Sequence, residues 1–410
     1  VSQPHKVAAL QRPCLMLLPV VLLGSALVAP CLAFTAPVAL LKARSFSVDA
    51  AGNRVAPGSA GEIKLRSGEV KLPNGDGGDF STELQGVAID RKATALVVEP
   101  ESPADAKAAV VFLHGFSQQP KNYMTTLSCL AASGIKVVAP QTWVLDVILP
   151  WVTVETSTNP FDLPGKLQTA VIIDGLRCLQ LLQDEGFASI SLAGHSMGGA
   201  CALVIPRILD ATTEIKAICV ESPAAVASSD TTLNPFLTGD GNPFKPKLAF
   251  GNAVKLFKQY DTVPQVLLLS AANDLIVPAG EVESIYKATQ DPTSKIASTS
   301  ALGAILSGSH IGFEDSFVVD LQFRKFTIPL FTFLDFLVYS RDLGEAFLGD
   351  LDAQLITAKK LAVRHFAAFA GSKDTSNDIS YIEARSAWSE VLKLTTDSDE
   401  IKDALTGSPP

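Results

Sequence analysis

Gly194-His195-Ser196-Met197-Gly198-Gly199 lies between an apolar, strand-like run, Ile190 to Ala193, and a helix-like one, Ala200 to Leu209. A GxSxG match in the order strand, turn, helix reads as a nucleophile elbow, a sharp turn that lifts the serine hydroxyl clear of the sheet. The glycines have a physical task. A serine on so tight a turn takes a strained backbone conformation, and its neighbours two positions away must lack side chains for strand and helix to approach. The plain alternative is a Gly/Ser-rich turn that fits the pattern by accident, and the rest of the chain argues against it.

A serine hydroxyl is a weak nucleophile unless a base accepts its proton, and the base needs an acid to fix its tautomer. The chain has five histidines. His5 lies in a leader-like segment, His195 is inside the elbow and reads as support for the turn, and His365 sits in an amphipathic helical run, Ala358 to Phe369, where it reads as structural or surface. His114 belongs to another motif. His310 stands apart in the small-residue loop Ser307-Gly308-Ser309-His310-Ile311-Gly312-Phe313, after the strand-like stretch Ile296 to Leu306, and is the predicted base. The predicted acid is Asp274, in the Asn273-Asp274 turn that ends the apolar run from Val266. Glu221, ending the strand-like Ile215 to Val220, stays open as the alternative acid.

Charge developing on a carbonyl oxygen needs preorganised donors. The Met197 N–H is one candidate. The other is the Phe116 N–H, in His114-Gly115-Phe116-Ser117 after the strand-like Ala108 to Leu113, where Gly115 permits close backbone approach.

The stretches Val110 to Phe116, Leu130 to Gln141 and Gly194 to Gly199 resemble the chlorophyllase branch of the α/β-hydrolases. Asn273 to Pro278, with Gly308-Ser309-His310, is similar to bacterial polyester hydrolases and dienelactone-hydrolase relatives. The similarity covers about residues 86–372, and the order Ser196, Asp274, His310 is the α/β-hydrolase order. The resemblance implies an α/β-hydrolase fold, a mostly parallel sheet with helices on both faces and inserted loops forming a cap or entrance. It implies a serine carboxylic-ester hydrolase acting on an apolar ester, of chlorophyllase type or, alternatively, a lipase, galactolipase or polyester-type esterase. A non-catalytic binding protein on the same fold is a further alternative. Two positions depart from plant chlorophyllases, which carry Arg where this chain has Met197 and place the acid where this chain has Glu221-Ser222-Pro223.

Lys6 and Arg12 precede an apolar run from Cys14 to Leu32, interrupted by Pro19 and Pro30, with Cys31 and Ala33 as a small-x-small site before Phe34. This predicts a signal peptide over residues 1–33 in preference to a membrane anchor. Residues 34–60 are acid-poor and Ala/Ser-rich, a transit-like presequence. Together they resemble the bipartite presequence of plastids acquired by secondary endosymbiosis, so the expected location is the plastid (chloroplast), with secretion as the alternative. The hydrolase domain is expected over 61–372 and a C-terminal tail over 373–410.

The chain carries 33 basic and 42 acidic residues, of which residues 1–60 hold five and one; the remainder has 28 against 41, a net charge of −13. A domain this acidic argues against nucleic acid as a partner. Cys129, Cys178, Cys201 and Cys219 form no CxxC pair and read as buried apolar residues, with no metal site expected. Asn74 to Asp79 lacks the spacing and terminal Glu of a calcium loop, and no phosphate-binding or dinucleotide fingerprint occurs, so no cofactor is expected. Gln141 to Gly165, with Trp143, Trp151 and Pro160, and Ser222 to Lys258, with Pro235, Pro243 and Pro246, are too long for plain connections and are expected to shape an entrance. Eight of the 21 phenylalanines fall between Phe313 and Phe347. The run Thr327 to Tyr339 reads as a core-packing helix, with an apolar wall for a long acyl or phytyl chain, or a membrane-surface patch, as the second reading.

Overall fold

The computed structural model describes residues 43–73, 93–116, 118–142, 163–208, 214–224, 264–274, 276–290, 297–305, 308–315, 351–378 and 393–395. In chain order the strands are β1 (Arg44–Val48), β2 (Ile63–Lys71), β3 (Thr94–Pro100), β4 (Ala108–Leu113), β5 (Ile135–Pro140), β6 (Ser189–His195), β7 (Glu214–Glu221), β8 (Gln265–Ala271), β9 (Ser300–Ile305) and β10 (Lys393–Thr395). The helices are α1 (Met124–Ala132), α2 (Leu163–Asp184), α3 (Met197–Ile208), α4 (Ala279–Thr289) and α5 (Leu351–Ala370).

The strands form one sheet in the order β1-β2-β3-β5-β4-β6-β7-β8-β9-β10. From β5 to β9 every neighbouring pair is parallel, and the flanking pairs are antiparallel. The central strands are nearly continuous apolar runs because both faces are covered. Along β4, Ala109, Val111 and Leu113 join a core beneath α2, α3 and α4, while Ala108, Val110 and Phe112 join a second core beneath α1 and α5. That alternation is the period of two that a pleated strand imposes.

The chain leaves β4 for β5 on one side of it and returns to β6 on the other. Such a reversal opens a crevice at the carboxyl ends of the strands, where open α/β sheets bind ligands. The loops after β4, β6, β8 and β9 carry Phe116, Ser196, Asp274 and His310, so the sheet gathers at one edge residues far apart in the sequence. This is the α/β-hydrolase architecture.

Two boundaries differ from expectation. The transit-like stretch 34–60 overlaps the domain: β1 pairs with β2, Val48, Ala50 and Ala51 are buried, and the Lys359 ammonium donates to the Ala51 carbonyl at 2.8 Å. A Cβ on Gly52 would lie 2.1 Å from the Thr125 carbonyl oxygen. Acid-poor, Ser- and Val-containing sequence describes an edge strand as well as a transit peptide, which is why composition alone placed the start of the domain at residue 61. The tail expected from residue 373 also contributes. Thr375 and Ser376 are buried, Ser376 Oγ accepts from Arg364 Nε at 2.7 Å, and Lys393–Thr395 pairs antiparallel with β9.

Cys129, Cys178, Cys201 and Cys219 are buried free thiols. His365 is also buried, its Nε2 donating to the Gln265 carbonyl at 3.1 Å, so its role is structural. The Trp/Pro-rich insertion, the long segment after Pro223, the Phe-rich run Thr327 to Tyr339 and Asn74 to Asp79 fall wholly or mostly outside the described residues. No described helix is long and apolar enough to cross a membrane.

Candidate active site

Ser196 takes φ 54°, a left-handed conformation that costs a non-glycine residue on the order of 1–2 kcal/mol. Three main-chain hydrogen bonds hold it there. Its N–H donates to the Glu221 carbonyl at 2.9 Å, and its own carbonyl accepts from Ala200 N–H at 3.0 Å and Ala224 N–H at 2.9 Å. Gly198 is required by close approach: a Cβ there would lie 2.1 Å from the Leu113 carbonyl oxygen, and one on Gly194 would lie 2.7 Å from the Gly198 carbonyl carbon. The tight turn read from the sequence therefore exists as a physical constraint between β4, β6 and the start of α3.

His310 opens a short turn of 3-10 helix, His310–Phe313, after β9. Its Nε2 accepts from Ser196 Oγ at 2.9 Å, and its Nδ1 donates to Asp274 Oδ2 at 2.7 Å. Asp274 is fixed in turn, because its other oxygen accepts from the N–H groups of Ile276 (2.9 Å) and Val277 (2.7 Å). All three side chains are buried, so water competes little for these hydrogen bonds.

Glu221 makes no hydrogen bond to His310. It is buried at the end of β7, desolvation pushes its carboxyl up to about 8, and Oε2 has no partner. The next residue, Ser222, is the second non-glycine at positive φ (39°) among the described residues, and its N–H donates to the Leu269 carbonyl at 2.7 Å. The β7 end thus braces the elbow through its backbone, while its carboxyl stays apart from the histidine.

The loop after β4 is clamped through Gly115. The Gly115 carbonyl accepts from His114 Nδ1 at 2.9 Å and from Gln118 N–H at 3.1 Å, while the Gly115 N–H donates to Tyr123 Oη at 3.2 Å. In a trans peptide the N–H points opposite to the preceding carbonyl, so anchoring the Gly115 carbonyl turns the Phe116 N–H the other way. A Cβ on Gly115 would lie 3.4 Å from Ser196 Cβ, which puts this loop against the serine. Among the described residues, neither the Phe116 nor the Met197 N–H donates to a protein acceptor. Two available donors beside a serine are what an oxyanion requires.

Three side chains matter here that the sequence did not mark. Gln354 of α5 donates to the Ser309 carbonyl and accepts from the Ser309 N–H, both at 2.8 Å, fixing the residue before His310. Its polarity within an apolar helical run was the available signal. Tyr123 lies between the Gly115 N–H and His195 Nδ1 (2.9 Å), and nothing in its local sequence announces that. Glu314, beside the histidine turn, is buried with its carboxyl pushed up to about 8 by desolvation. Among the described residues, no group of three His, Cys, Asp or Glu side chains is arranged to hold a metal ion.

No family model and no curated protein matches the chain. Solved structures do. An esterase domain from Rhodothermus marinus is 17% identical with a TM-score of 0.38, over 60% of this chain and 89% of that one. Est1E from Butyrivibrio proteoclasticus is 15% identical with a TM-score of 0.38, over 59% and 90%. A Klebsiella pneumoniae protein described as a dienelactone hydrolase is 14% identical with a TM-score of 0.42, over 72% and 98%. On its own strand order and its serine elbow, the chain has the α/β-hydrolase fold.

Proposed function

We propose that the chain is a serine carboxylic-ester hydrolase working through an acyl-enzyme. The continuous hydrogen-bond line from Ser196 Oγ through His310 to Asp274 carries this reading. His310 takes the hydroxyl proton as Ser196 attacks the ester carbonyl, and Asp274 holds the imidazole in the accepting tautomer and stabilises the imidazolium. The Phe116 and Met197 N–H groups receive the oxyanion. His310 returns the proton to the departing alcohol; water, activated by the same base, then releases the acid and restores Ser196.

An apolar ester suits the rim of this site. Phe116 and Ile276 are the exposed large hydrophobic residues among the described ones, at 46% and 52% exposure. One belongs to the candidate oxyanion loop and the other lies two residues after Asp274. Solvent-exposed apolar side chains at a catalytic mouth favour apolar substrate groups. The finer reading is a chlorophyllase-like enzyme of the plastid that releases phytol, with association at a membrane surface. It rests on the sequence resemblance and the leader. The second reading, a lipase or galactolipase, is favoured by Met197 and by the pairing of His310 with Asp274, since both depart from the plant chlorophyllase pattern.

The test is incubation of the full chain with detergent-solubilised chlorophyll a, a galactolipid and a triacylglycerol, with Ser196→Ala as control. Phytol released only by the unaltered chain supports the chlorophyllase reading. Fatty acid without phytol selects the lipase, and no Ser196-dependent product from any ester refutes both.

A further inference from the structure

Beneath the serine, histidine and aspartate runs a second polar chain that the proposed acyl transfer does not use. The Gly115 N–H meets Tyr123 Oη at 3.2 Å, Tyr123 Oη meets His195 Nδ1 at 2.9 Å, and His195 Nε2 meets the main-chain carbonyl oxygen of His310 at 2.9 Å. Tyr123 is fully buried and His195 is 1% exposed.

The direction of every bond is fixed by chemistry. A carbonyl oxygen can only accept, so His195 Nε2 carries the proton and donates to His310. Burial and the neighbouring His310 hold the His195 imidazole neutral, its pKa well below the usual value, so Nδ1 has no proton and must accept from Tyr123. The phenol oxygen, having donated its hydrogen, accepts from Gly115. Packing fixes the rings: Tyr123 lies against Phe112 at 4.9 Å between centroids, and His195 against His310 at 4.7 Å and Phe313 at 5.5 Å.

The chain joins three segments that the sheet otherwise brings together separately: the loop after β4, the end of β6 and the loop after β9. We propose that Tyr123 and His195 are positioning residues, a buried relay that locks the His310 main chain to the Gly115 loop and keeps the base in register with the oxyanion donors. Neither touches the reacting atoms. The relay acts through placement, and a small misplacement of a base or donor costs far more rate than substrate affinity. The inference rests on the serine-hydrolase reading, which supplies the reaction to be positioned.

The test uses the full chain and p-nitrophenyl butyrate. Tyr123→Phe keeps the ring and deletes the link. Its kcat is expected to fall about tenfold or more with KM within about twofold, and fluorophosphonate labelling of Ser196 to slow in parallel. Because the two residues form one relay, Tyr123→Phe combined with His195→Gln should be no slower than the worse single variant. A second comparison serves should Tyr123→Phe not fold. In His195→Gln the carboxamide nitrogen can still reach the His310 carbonyl, whereas in His195→Asn it falls short, so Gln should retain the higher kcat. A folded Tyr123→Phe with unchanged kcat, losses that multiply in the double variant, or equal activity of His195→Gln and His195→Asn overturns the relay. Labelling of the unaltered chain that depends on Ser196, alongside any of these, overturns the relay alone. Absence of such labelling overturns the hydrolase reading and the relay together.

Discussion

Gln354 grips Ser309 from both sides, donating to its carbonyl and accepting from its N–H at 2.8 Å each, so α5 holds the backbone one residue before His310. Gly308 and Gly312 make room for it: a Cβ on Gly312 would lie 1.9 Å from Gln354 Oε1, and one on Gly308 would lie 3.0 Å from it. Replacing Gln354 by leucine keeps the bulk and removes both bonds; the Ser309 carbonyl retains the Gly312 N–H at 3.2 Å, while the buried Ser309 N–H loses the Gln354 oxygen, at a cost of roughly 1–3 kcal/mol. Gln354→Leu is therefore expected to lower the denaturation midpoint and to reduce kcat in the protein that remains folded. Urea melts and ester turnover measured side by side check both.

The elbow makes a sharper demand. Gly198→Ala puts a methyl group where the Leu113 carbonyl oxygen already stands, 2.1 Å from the ideal Cβ. Backbone cannot yield as a flexible side chain does, so this substitution is expected to prevent folding or to displace the elbow. Gly58→Ala provides the control for overpacking. No atom lies within 4 Å of its added Cβ, although φ there is +82°, so only the modest strain of a left-handed alanine should appear. Circular dichroism and soluble yield of the two variants discriminate.

Asp274 and Glu221 were both open as the acid, and they now have different expected losses. Asp274→Asn removes the charge that faces His310 Nδ1 and should cut kcat by about 10³-fold or more, as loss of the orienting carboxylate does in serine triads. Glu221→Gln should retain most activity. The reverse ranking in ester turnover would move the acid to β7.

Glu221 and Glu314 also predict a pH dependence. Each carboxyl is raised in the folded chain to about 8 by burial, well above its unfolded value of 4.5. The folded state therefore holds protons that the unfolded chain releases. The stability tied to those protons is present in full below about pH 4.5 and is lost as pH rises towards 8. The buried neutral histidines, such as His114 with its pKa lowered to about 4, act in the opposite direction at acid pH, so the informative quantity is the difference between variant and parent. Glu221→Gln should gain melting temperature relative to the unaltered chain on going from pH 5 to pH 8. A difference independent of pH contradicts the assignment.

Much of this was legible in the sequence because the deciding elements are local. Gly194 to Gly199 between an apolar run and a helical one fixes an elbow, and β4 matches Ala108 to Leu113 residue for residue. The apolar runs that became β6, β7 and β8 are strands because a parallel sheet buried on both faces leaves no polar alternation to obscure them. Long-range contacts were not legible. The pairing of His310 with Asp274 over Glu221 depends on which loop folds over which, and the grips of Gln354 and Tyr123 cross 45 and 72 positions. Residues 43–60 were misassigned because composition cannot separate an acid-poor presequence from an acid-poor edge strand.

Activation of Ser196 as a nucleophile by His310 is the step on which the proposed function depends. Its most direct measurement is the intact mass of the full chain after reaction with a fluorophosphonate, with the site located by peptide mapping, for the unaltered chain, Ser196→Ala and His310→Ala. One adduct is expected on Ser196, none in Ser196→Ala, and labelling slowed by orders of magnitude in His310→Ala. An adduct elsewhere, none at all, or equal rates with and without His310 would contradict it.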